Sequence, residues 1–194
     1  MKRIAGIILG MIIVSSLASS AILVTSMSQV SFAESSNVQN FMNMTEEQRV
    51  QAAENMTEEE KQTVMNEFSK QDSTVDENMS ATMANNVKPL TGNFVGAGDG
   101  LHNAEGVAKV LTLSDGKTFL RLENLKATNG PDLYVYLSTS KDASDIVNLG
   151  RLKGNIGNQN YEIPAGTDLS KYNTVLIWCK AFSTLFGSAK LSSQ

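Results

Sequence analysis

From Val87 onward the chain is written in period two. Short alternating runs are separated by turn residues, and no stretch has the length and helical period of a crossover helix. Parallel strands need such crossovers, so this half is restricted to an antiparallel sheet folded into a sandwich or barrel. Leu111-Thr112-Leu113-Ser114-Asp115-Gly116-Lys117-Thr118-Phe119-Leu120 reads as a hairpin, with Asp115-Gly116 supplying the positive-φ positions of a two-residue turn. Leu133-Tyr134-Val135-Tyr136-Leu137 alternates aliphatic with aromatic, and Pro131 stands just ahead of it, where it costs no ladder bond. Val175 to Lys180 and Leu185 to Leu191 are further strands. The expected fold is all-β, an antiparallel β-sandwich or barrel of about seven or eight strands.

The preceding half differs. All nine methionines lie at or before Met83, all four tyrosines at or after Tyr134, and twelve of the 14 glycines from Gly92 onward. The shift marks a boundary near residues 84–90 and divides the chain into segments 1–33, 34–86 and 87–194.

In residues 1–33, Lys2 and Arg3 precede an apolar run from Ile4 to Val14, and Ser31-Phe32-Ala33 places small residues at −3 and −1 of a cleavage point. That is the pattern of a secretory signal peptide. The rival reading is an uncleaved N-terminal membrane anchor, because Ile4 to Val24 has a spanning length that Ser15-Ser16 and Ser19-Ser20 only dilute. Either way the chain is expected to be exported, secreted or held at the outer face of the cytoplasmic membrane.

Residues 34–86 contain neither Gly nor Pro, and Asn43-Met44-Thr45-Glu46-Glu47-Gln48 recurs as Asn55-Met56-Thr57-Glu58-Glu59-Glu60. Each copy is a capping box, with acidic residues at the positive end of the helix dipole. Two short helices are expected, over about 45–54 and 57–70, followed by a disordered stretch rich in Asn, Ser and Asp; together they read as a linker. Met42, Met44, Met56 and Met65 are better explained as an apolar helix face than as Cu(I) ligands. Asn43, Asn55 and Asn78 each begin an N-x-S/T sequon, and are candidate glycosylation sites in an exported segment.

Scarcity limits the chemistry. With one histidine, His102, and one cysteine, Cys179, no zinc finger, di-iron cluster or blue-copper centre can be assembled. The net charge of −4 argues against a sequence-independent grip on nucleic acid. No G-x-S-x-G accompanies His102, and no complete catalytic constellation is present.

Three motifs carry a resemblance. They are Asn129-Gly130-Pro131-Asp132-Leu133-Tyr134-Val135-Tyr136-Leu137-Ser138, the run from Leu149 to Pro164, and Val175-Leu176-Ile177-Trp178-Cys179 with Phe182, Phe186, Gly187, Ala189 and Leu191. Together they resemble the electron-transfer DM-thirteen domain, a β-rich extracellular module often found next to DOMON domains, over about Val87 to Leu191. The resemblance implies a redox role centred on the family's lone cysteine, here Cys179, acting as a bare thiol or by holding a prosthetic group such as haem or a metal. It also implies a separate redox partner protein or cell-surface component.

The residues themselves leave the role of Cys179 open. Strand alternation puts Val175, Ile177 and Cys179 on one face and Leu176 and Trp178 on the other, the profile of a buried thiol. A lone exported thiol is otherwise a redox or cofactor residue, or half of an intermolecular disulfide. His102 lies in a glycine-rich loop between the first two strands and reads as solvent-facing, or as a second cofactor-binding residue if it approaches Cys179. Asn129-Gly130-Pro131-Asp132 reads as a tight turn in which Asp132 accepts backbone N–H bonds, and Tyr134 and Tyr136 as core. Two functions follow: a redox module at the cell surface, or a non-enzymatic binding or structural module whose cysteine is a core residue.

Overall fold

The computed structural model describes residues 38–79, 82–84 and 87–193. The segment read as signal peptide or anchor lies outside them, and among the described residues no helix is long and apolar enough to cross a membrane.

Both capping boxes form. In α1 (Glu46–Glu54) and α2 (Glu58–Ser69) the Thr45 and Thr57 hydroxyls accept from the Gln48 and Glu60 N–H groups, whose side chains reach back to the cap N–H. Residues 38–42 are also helical.

The rest is antiparallel β, in strands β1 (Leu90–Gly96), β2 (Ala104–Thr112), β3 (Thr118–Ala127), β4 (Leu133–Ser138), β5 (Ile146–Arg151), β6 (Ile156–Ile163), β7 (Thr174–Cys179), β8 (Thr184–Lys190) and the two-residue β9 (Ser192–Ser193). Their order is β5-β4-β7-β8-β1-β2-β3-β6, with β9 on β1. β1 changes sheets: Leu90–Asn93 pair with β2, and Phe94–Gly96 pair with β8. The ends of the order, β5 and β6, lie against each other, so the sheet is a nearly closed barrel or sandwich. The β2–β3 connection is longer than the expected two-residue turn. Gly116 N donates to Leu113 O and Leu113 N to Lys117 O, and only Gly116 takes positive φ, at 85°.

Alternation sets two apolar layers. Leu133, Val135, Leu137, Val175, Ile177 and Cys179 face the main core with Leu120, Leu122 and Phe186. Tyr134, Tyr136 and Leu176 form a second, smaller layer on the opposite face of the same strands, with Trp178 packed against it. β4 is therefore buried on both sides.

The helices do not stand away from the β-domain. Val38, Phe41, Ala53 and Val64 pack with Ala181 and Phe182, and Met65 enters the main core. Met42, Met44 and Met56 support the same packing, which is the apolar-face reading of these methionines. The Asn-, Ser- and Asp-rich stretch also differs from expectation, because residues 71–79 run extended along the edge strand β6. Val75 N donates to Ile156 O, Ile156 N to Ser73 O and Glu77 N to Asn158 O. An exposed strand edge is thereby covered by the chain itself. Gly157, at φ +111°, lets the two backbones close, since a Cβ there would stand 2.2 Å from Val75 O.

Candidate functional site

Cys179 is the last residue of β7, paired with Leu133 of β4 and Thr184 of β8. Alternation turns its side chain into the main core, where it is 0% exposed. Burial pushes the thiol up to about 12 and the Asp132 carboxylate adds to the rise, while backbone N–H groups of Phe182, Asp132 and Ala181 oppose it. Those N–H groups come from the turn that ends β7 and from the residue that precedes β4. They favour thiolate, but the dry surroundings win.

His102 ends the glycine-rich loop after β1, and it does not face solvent. Its side chain is 9% exposed and its ring lies 4.3 Å from that of Phe186, a core residue. Asp99 organises the loop. Oδ1 accepts from the Leu101 and His102 N–H groups, and Oδ2 stands 2.5 Å from His102 Nδ1. Burial works against ionisation of Asp99, but the His102 backbone N–H, the His102 ring and the Leu101 N–H outweigh it and hold the carboxyl at about 2. His102 Nε2 is buried without a hydrogen-bond partner. Among the described residues no hydrogen bond or ring contact joins His102 to Cys179; both border the core that holds Phe186.

The structure also brings together a polar cluster that the sequence reading missed. Among the described residues Asp132 accepts no backbone N–H bond through its side chain. It is 0% exposed, and its Oδ1 stands 3.2 Å from Arg49 Nη2 and 3.1 Å from Arg151 Nη2. Burial raises its pKa against the pull of the two guanidinium groups. Arg49 is itself buried on α1, and its Nη1 donates to Met44 O at 2.9 Å. Beside this pair, Glu46 accepts from Lys180 Nζ and from the Tyr134 hydroxyl, which hold its carboxyl below the usual range. Lys180 and Arg151 lie over the Tyr134 ring at 5.5 and 5.7 Å. The Asp132 backbone carbonyl accepts from Lys180 N at 2.9 Å, so the cluster is built around the same two strand ends as Cys179. No local signal marks it, because Arg49 and Glu46 come from a helix far upstream.

Asn43, Asn55 and Asn78 are exposed. Asn55 caps the C-terminus of α1 and donates from its amide to Gln51 O at 2.9 Å.

Among the described residues no group of three or more His, Cys, Asp or Glu side chains is placed to hold a metal ion. The prosthetic group that an electron-transfer role implies is also poorly matched at Cys179. The sulphur is enclosed by core side chains and has no exposed face toward which such a group could stand.

Compared with known proteins, residues 95–191 match the family model described as "Electron transfer DM13". The matched stretch holds Asp99, His102, Asp132, Arg151, Cys179 and Lys180, and leaves out α1 and α2. No curated protein and no solved structure matches.

Proposed function

This chain belongs to the electron transfer DM13 family, and from that membership we propose that it is an exported β-domain whose redox role is carried by Cys179. The family gives the redox-related role. Cys179 is its centre in this reading because it is the chain's single cysteine and lies within the family-matched residues, and a thiol is the group that transfers electrons or forms a mixed disulfide. Export rests on the basic, apolar and small-residue pattern of residues 1–33, and the chain acts at the cell surface or outside it with a separate redox partner protein.

A second reading has its own observation. The complete burial of Cys179, with its thiol pushed up to about 12, is what a core residue of a non-enzymatic surface module displays. The two are separated with natively secreted chain. Intact mass gives the state of Cys179 and the position of the N-terminus, and redox assays compare the chain with Cys179→Ser. A modified thiol, or redox exchange lost in Cys179→Ser, supports the first reading. An unmodified thiol and unchanged exchange leave the second, and an N-terminus beginning at Glu34 establishes cleavage of the signal.

A further inference from the structure

Ala181 and Phe182, in the turn that follows Cys179 at the end of β7, are the residues against which the upstream helices pack. The Phe41 and Phe182 rings stand 5.6 Å apart, and Val38, Ala53 and Val64 complete the contact. From α2, Met65 joins the core cluster that contains Cys179. The attachment of α1 is mostly polar: its sequence is Glu-Glu-Gln-Arg-Val-Gln-Ala-Ala-Glu, and only Arg49 and Ala53 of it are buried. Two polar contacts therefore hold it, Arg49 with Asp132 and Glu46 with Lys180 and Tyr134. Their β-domain partners flank the thiol in the chain and across the sheet. Asp132 precedes Leu133, the strand partner of Cys179, and Lys180 follows Cys179 directly.

We propose that residues 38–69 are a lid on the Cys179 end of the β-domain, latched by the Arg49–Asp132 and Glu46–Lys180 pairs, and that its opening sets the access of solutes and partner proteins to the thiol. The purpose of such a lid rests on the reading of Cys179 as a redox residue; its existence does not. A dry ion pair suits a latch. While closed, each charge compensates the other, and once the lid lifts both are hydrated, so the open state carries no orphaned buried charge. Opening then costs less than global unfolding, because the β-ladders stay intact.

The test uses the full chain and iodoacetamide, a small neutral alkylator, with modification of Cys179 followed by intact mass across low concentrations of urea. In the unmodified sequence, slow labelling that is almost independent of urea below the unfolding transition is expected. Arg49→Met raises the native labelling rate on the order of tenfold or more. Amide exchange in α1 and α2 rises with it, while β4 and β7 amides keep their protection. The proposal is overturned if Arg49→Met labels at the rate of the original chain, or if labelling in both carries the full urea dependence of global unfolding. Should Arg49→Met fail to fold, the urea dependence in the unmodified sequence decides alone: flat labelling supports the lid, and labelling that follows unfolding removes it. Failure of the redox reading looks different. Redox exchange unchanged by Cys179→Ser, together with accelerated labelling of Arg49→Met, dismisses the redox role and keeps the lid.

Discussion

Arg49 and Asp132 form a buried ion pair at 3.2 Å between α1 and the start of β4, with the aspartate at 0% exposure and the arginine side chain at 8%. The pair ties a helix outside the family-matched residues to the strand that partners Cys179. Arg151 supports Asp132 from β5 at 3.1 Å but is itself 48% exposed, so Arg49 is the partner that shields the carboxylate.

Breaking that pair from one side leaves charge without its shield. Arg49→Met is expected to destabilise the chain by about 3 kcal/mol in urea unfolding. Adding Asp132→Leu to Arg49→Met should restore most of the loss, since the buried carboxylate is then gone. A double variant no more stable than the single one would mean that packing around Arg49, rather than charge, sets the cost.

Acid should act on Glu46 and Asp132 in opposite directions. Hydrogen bonds from Lys180 and Tyr134 lower the folded pKa of Glu46 from its usual 4.5. Its contribution is therefore complete above that value and is lost as pH falls through the lower folded one. Burial raises the folded pKa of Asp132, so its protonation in acid favours the folded state and offsets part of that loss. Thermal unfolding between about pH 6 and about pH 3 should show a smaller acid-induced drop for Glu46→Gln than for the original chain, and a larger one for Asp132→Asn.

The strap over β6 depends on close backbone approach. Gly157→Ala places a methyl 2.2 Å from Val75 O at a φ of +111°, which an L-residue rarely adopts. A loss of about 2 kcal/mol or more is expected, with the Val75 and Glu77 amides losing hydrogen-exchange protection before those of β3. Equal loss of protection throughout the sheet would show instead that the strap and the barrel unfold as one unit.

His102 anchors its loop through Asp99 on one side and Phe186 on the other. His102→Ala should cost about 1–2 kcal/mol and release the Leu101 amide to rapid exchange. If stability is unchanged, the stacking on Phe186 contributes nothing measurable.

Much of the fold was legible because its causes are local. The boxes at Thr45 and Thr57 need only residues three apart, and both helices start where those residues stand. Alternation in Val175–Cys179 assigned Cys179 to the inner face and Trp178 to the outer one, as the two apolar layers bear out. The Asp115-Gly116 dipeptide suits both a two-residue loop and the longer loop observed, so the local pattern does not separate them. A glycine-rich loop reads as exposed, whereas Asp99 folds His102 inward onto Phe186.

What the amino-acid sequence determined by itself is therefore the set of elements, their antiparallel pairing class and the inward direction of the thiol, all consequences of periodicity and capping over a few residues. Only the tertiary structure decided that the upstream helices cap the Cys179 end, that residues 71–79 close the β6 edge and that Asp132 meets Arg49. Those contacts join residues far apart in the chain, and their stability comes from mutual burial, which no local window of sequence contains.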